Sequence, residues 1–80
     1  MNAREVLNQR KTIITFLEDK KIKHRTINGL AVNRDAIVNY YNTGEEAYQK
    51  LIDEIKQILN IRAFYCNRTD NWLWIEIIKE

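Results

Sequence analysis

Apolar side chains recur near the start of the chain at intervals of three and four: Ala3, Val6, Leu7, Ile13, Ile14 and Leu17. At about 100° per residue they form one stripe roughly 120° wide, as in an amphipathic helix lying on a core. Arg10 falls inside the stripe, where its stem can pack while its head reaches water, and Phe16 falls on its flank. Asn2 with Glu5 three residues on reads as a capping box, so the first helix is expected over residues 3–20. A second long helix is expected to open on a capping box at Thr43-Gly44-Glu45-Glu46. Ala47, Tyr48, Leu51, Ile52, Ile55, Ile58 and Leu59 line one face of it, and Asn60 ends it. A β-hairpin is expected after it, from Ile61–Cys66 and Trp72–Ile78, with turn chemistry at Asn67-Arg68-Thr69-Asp70-Asn71. On its last strand Leu73, Ile75 and Ile77 point one way, and Trp72, Trp74, Glu76 and Ile78 the other.

The segment 22–42 supports two readings. In the first, Asn28-Gly29 makes a type I′ turn that pairs His24–Ile27 with Leu30–Asn33, and a short extra helix follows over 34–41 from an Asn33 cap. The whole is then one α+β domain spanning 1–80: two amphipathic helices packed on a small antiparallel sheet, in the order α-β-β-α-β-β. In the second, Leu30-Ala31-Val32-Asn33-Arg34-Asp35-Ala36-Ile37 resembles the Leu-Gly-Val-Ser-Arg-Asp-x-Val pattern of helix-turn-helix motifs, with Ala31 at the glycine position. The resemblance covers eight residues. With the C-terminal hairpin as wing it implies a winged helix, in which Arg34 and Asn39 approach base edges and Lys20, Lys21 and Lys23 the phosphates.

Eighty residues leave room for one core, and 45% hydrophobic beside 30% charged residues is ordinary globular composition. The net charge of +2 is unevenly spread. Residues 1–34 hold eight Lys/Arg against three acids (+5), and residues 35–80 hold five against eight (−3). The run Lys20, Lys21, Lys23, Arg25 can contact phosphates, or it can simply suit the end of a helix dipole. No apolar run approaches the roughly 20 residues that span a bilayer, and the first residues lack the apolar stretch of a signal peptide. A membrane role is therefore not expected, and the lone Cys66 favours a reducing, cytoplasmic setting.

Catalytic chemistry is not expected. His24 is the only histidine, sits among cations and has no nucleophile in sequence reach; a solvated side chain is the expectation. Cys66 has no base nearby to lower its pKa and is expected to be a buried or half-buried bland cysteine. Glu45, Glu46, Asp53 and Glu54 are spread around a helix as a solvated face, not as metal ligands. There is no glycine-rich phosphate loop, so neither a metal nor a small-molecule cofactor is expected.

What remains is a non-catalytic binding module. Trp72 and Trp74 stand on one side of a strand whose other side is also apolar, and two helices can cover one sheet face readily and the second only partly. Trp72, Trp74, Ile78 and Phe16 are thus the candidates for contact with a protein partner or a second copy in a homodimer. Composition without Pro and heavy in Asn, Ile and Lys suits a small regulator or inhibitor of the phage or mobile-element type. The alternative is a small DNA- or RNA-binding protein using Lys20, Lys21, Lys23, Arg25, Arg34 and Asn39.

Overall fold

In the computed structural model, which describes residues 3–76, the chain runs α1 (Ala3–Asp19), β1 (His24–Arg25), β2 (Leu30–Asn33), α2 (Arg34–Tyr41), α3 (Glu46–Leu59), β3 (Tyr65–Arg68) and β4 (Trp72–Glu76). The four strands form one antiparallel sheet in the order β1-β2-β4-β3. Both amphipathic helices form as their periodicity requires, and the short helix over 34–41 is present between them. The Asn2 cap and the side chains of Ile77 and Ile78 lie outside the described residues.

One side of the sheet faces the helices. Leu30 and Val32 of β2 meet Leu73 and Ile75 of β4 in the core, together with Ile13 and Leu17 of α1, Ile37 of α2, and Ala47, Tyr48, Leu51 and Ile55 of α3. Ile22 and Phe64, on the connections, close it off. Strand alternation puts these four β residues on the same side because Leu30 pairs with Ile75 and Val32 with Leu73.

That pairing excludes the winged helix. Leu30–Asn33 is a central strand, hydrogen-bonded to β1 on one side and β4 on the other, so no turn joins two helices there. Asn28 and Gly29 take positive φ (58° and 124°), which a helix preceding that turn could not accommodate. Both glycine-turn residues therefore behave as a hairpin requires, but the expected two-residue loop does not form. His24 pairs with Val32 and Arg25 with Ala31, which sets Thr26 opposite Leu30 and leaves Ile27-Asn28-Gly29 as a three-residue loop. A slip of one residue exchanges the two faces of a strand. The two-residue register would turn Arg25 toward the core; the observed one turns it out and leaves Ile27 73% exposed. An exposed isoleucine forgoes about 2 kcal/mol, less than a buried unpaired guanidinium costs.

The C-terminal hairpin is also tighter than its turn-rich sequence suggests. Arg68 pairs with Leu73, and the Thr69 N–H and Oγ1 both donate to the Trp72 carbonyl (2.8 and 3.2 Å), so Asn67 and Arg68 belong to β3 and only Asp70 and Asn71 form the loop. β3 begins at Tyr65 rather than Ile61.

Helix ends show where backbone groups go. The Asn33 side chain accepts from Ala36 N (3.0 Å), capping α2 as expected. Thr43 does not cap α3: its Oγ1 is buried without a partner among the described residues. The amides of Ala47 and Tyr48 instead reach the carbonyls of Gly44 and Glu45 in a tight i→i−3 turn (3.1 and 3.2 Å), which leaves the threonine nothing to do. Two helices close with Schellman motifs. Ile22 N donates to Leu17 O (2.9 Å) around Lys21 at φ 58°, and Ile61 N donates to Lys56 O (3.1 Å) around Asn60 at φ 54°. A lysine in the left-handed region is strained by about 1 kcal/mol relative to glycine. Lys21→Gly is accordingly expected to raise stability by about 1 kcal/mol in urea denaturation, whereas Asn33→Ala is expected to lower it by about 1 kcal/mol through the lost cap.

Candidate functional site

Side chains that β4 directs away from the helices form the outer face of the sheet. The cross-strand row Arg25–Ala31–Trp74–Asn67 runs over all four strands, with Asn33–Trp72 beside it on one side and Tyr65–Glu76 on the other. Trp72 and Trp74 are both half-buried, and among the described residues the buried helix side chains gather with Leu73 and Ile75 on the opposite side of the sheet. Ala31 is fully buried yet belongs to this face and not to the helix-side core. What covers it is the side chains around it. The Arg25 guanidinium carbon lies 4.3 Å from the centre of the Trp72 ring and 5.3 Å from that of Trp74, within cation–π range of both. Trp74 reaches the other way, toward the hairpin: a Cβ on Gly29 would stand 3.5 Å from its ring carbons Cε3 and Cζ3. The small Ala31 between Arg25 and Trp74 leaves room for the guanidinium to lie on the indoles.

Of the candidate contact residues, Trp72 and Trp74 therefore share this face, Phe16 is half-buried on α1 and packs against the core from elsewhere, and Ile78 is outside the described residues. Of the basic candidates, Arg25 belongs to the tryptophan face. Lys23 does too: its carbonyl accepts from Asn33 N (2.8 Å), which continues the ladder and gives it the same orientation as Arg25 two residues on. Lys20 and Lys21 are exposed at the end of α1, Arg34 is exposed at the start of α2 with its N–H on Asn71 O (2.9 Å), and Asn39 is exposed on α2. The sequence runs Lys20 to Arg25 together; the structure divides them.

The remaining polar candidates stand apart from one another. His24 is half-buried, and its Nδ1–H donates to the Ile22 carbonyl (2.9 Å), a local tie within the loop. Cys66 is exposed, not buried, because all four residues of the edge strand β3 are exposed. Among the described residues no group of three or more His, Cys, Asp or Glu side chains is arranged to hold a metal ion, and no helix is long and apolar enough to cross a membrane. An open cavity of about 810 Å³ lies at the far end of the sheet, between Val6 and Arg10 of α1, the Asn28-Gly29 turn, and Tyr65 and Glu76. Arg10 donates to the Thr26 carbonyl there (3.4 Å). Tyr65, 65% exposed on the outer face, was not foreseeable from alternation alone, since its strand was expected to begin four residues earlier. No protein-family model, curated protein or solved structure matches the chain.

One titratable group is enclosed away from this face. The Tyr41 hydroxyl is buried with no well-formed hydrogen bond among the described residues, near the half-buried Glu54 and edge-on to Tyr40 (ring centres 4.8 Å apart). Burial first, then the Glu54 carboxylate, raises its pKa well above the ordinary 10.0. Glu54 is thus not on a freely solvated face, unlike Asp53, which accepts from Gln49 Nε2 (2.8 Å) in the open. A phenol whose folded pKa is raised holds its proton more tightly in the folded state, so its contribution is intact below pH 10 and is lost as pH rises beyond it. Urea denaturation at about pH 8 and about pH 11 is expected to show a smaller alkaline loss of stability in Tyr41→Phe than in the wild type.

Proposed function

We propose that this chain is a non-catalytic binding module that docks on a protein partner through the helix-free face of its sheet, as a small regulator or inhibitor of the phage or mobile-element type. The observation that carries the reading is the half-buried pair Trp72 and Trp74 on that face, with Arg25 laid across both rings. Tryptophan, arginine and tyrosine are the residue types on which interface energy concentrates, and Tyr65 adds the third. A central strand normally turns polar side chains toward water when only one face is covered. β4 instead spends its two largest residues there, where they contribute less to the monomer than they would inside it.

A core role for the tryptophans makes a different prediction. Truncating a buried core residue such as Leu73 costs about 2–5 kcal/mol. The double variant Trp72→Ala/Trp74→Ala is expected to remain folded by circular dichroism and to lose clearly less stability than Leu73→Ala loses alone. If the double variant unfolds, or is as destabilised as Leu73→Ala, the rings hold the monomer together and the docking reading fails.

A further inference from the structure

We infer that the partner segment received by this face is acidic, with the Arg25 guanidinium as the group that takes its carboxylate. The inference rests on the docking reading above and adds the chemistry of the partner. Stacking on the indoles uses the flat face of the guanidinium and leaves its N–H edge free. Arg25 is exposed, and the contacts that place its guanidinium are those with the two rings. An arginine already held on a ring platform has less side-chain freedom to lose when a carboxylate arrives, and its planar fork matches a carboxylate in two parallel hydrogen bonds.

The surrounding charge agrees in sign. Lys23 shares the face two residues before Arg25, and Arg34 stands at the same end of the sheet beside Asn71. Asp35, in the first turn of α2, and Asp70, in the β3–β4 loop, are also at that end. Glu76 is at the opposite end of the face, four residues along β4 from Trp72. A single-stranded nucleic acid, the competing occupant, would stack bases on the rings. Those rings already carry Arg25 on one side, Trp74 lies against Gly29, and Glu76 would face the phosphates.

The chain has two tryptophans, both on this face, so their emission reports on it alone. The probe is a soluble peptide of repeated Gly-Glu-Leu, titrated beside its Gly-Gln-Leu counterpart and an oligothymidylate. The Glu peptide is expected to give a saturable change that added salt weakens, and the Gln peptide to bind about tenfold or more weakly. Arg25→Gln is expected to cost the Glu peptide a similar factor and Arg25→Lys a smaller one. No saturable response below about 1 mM, or equal binding of the two peptides, overturns the inference. Tighter binding of the oligothymidylate overturns it too, in favour of nucleic acid. Should Arg25→Gln not fold, the two peptides on the wild-type chain decide. None of these failures touches the stability comparison of the tryptophan and Leu73 variants, so the docking reading stands or falls separately.

Discussion

The pairing of β4 with both β2 and β3 is the constraint from which the rest of the molecule follows. It fixes which side chains of the sheet meet the helices, and it does so in one register: Leu30 with Ile75, Val32 with Leu73, Cys66 with Ile75. Once Leu73 and Ile75 are inside, Trp72 and Trp74 are outside by strand geometry alone. The helices of this short chain supply one layer, all of it on the Leu73 side. Among the described residues Arg25 is laid over the rings of Trp72 and Trp74 on the outer face, around the buried Ala31. A cation–π contact at a partly exposed site is worth about 0.5–2 kcal/mol, enough to order the arginine but far short of what a helix packed on the same area would supply.

Arg25 reaches the tryptophans because of the loop before β2. Three residues in that loop, not two, bring Arg25 opposite Ala31 and expose Ile27. Local turn chemistry would accept either length, so the choice is tertiary: a charged side chain is kept out of the helix-side core at the expense of one apolar residue at the tip. The chain uses asparagine in a consistent way at such places. Asn28, Asn42 and Asn60 all hold left-handed backbone where many proteins use glycine, and Lys21 does so without the compensation an asparagine side chain offers. With only two glycines in the chain, helix ends and turns depend on these residues.

How much of this could be read from the residues depends on how many independent signals converge on each element. The two long helices and the two-sided β4 were legible, because 3.6- and 2-residue periodicities over many positions leave little choice. The short helix α2 was legible through its Asn33 cap. The hairpin register was not, since it turns on the cost of burying Arg25, which no local pattern records. The likeness of residues 30–37 to a helix-turn-helix failed for a related reason: an eight-residue pattern fits a strand followed by a helix equally well, and the preceding Asn28-Gly29 decides for the strand. Thr43 read as a cap because its spacing to Glu46 is right, yet the backbone made a tighter turn that needed no side chain. Cys66 and Glu54 depart from expectation in opposite directions: the one, expected buried or half-buried, is exposed on an edge strand, and the other, expected on a solvated face, is half-buried beside Tyr41.

On the candidate site, alternation identified the tryptophans, but the run of basic residues concealed Arg25, which looked like one member of a charged stretch. Its distinction is positional. Among Lys20, Lys21, Lys23 and Arg25, only Arg25 lies both in a strand and across an alanine from a tryptophan. A larger residue at 31 would prop the guanidinium away from the indoles, and a lysine at 25 would offer a point charge without a plane to stack. The platform therefore depends on three residue types in one cross-strand row and its neighbour: a planar cation, a small spacer and a broad ring. A face covered in this way is neither a core, since water reaches the rings, nor an ordinary polar surface, since its largest components are apolar. Such a surface gains most when an anion that can meet the guanidinium edge arrives on a segment apolar enough to shield the indoles.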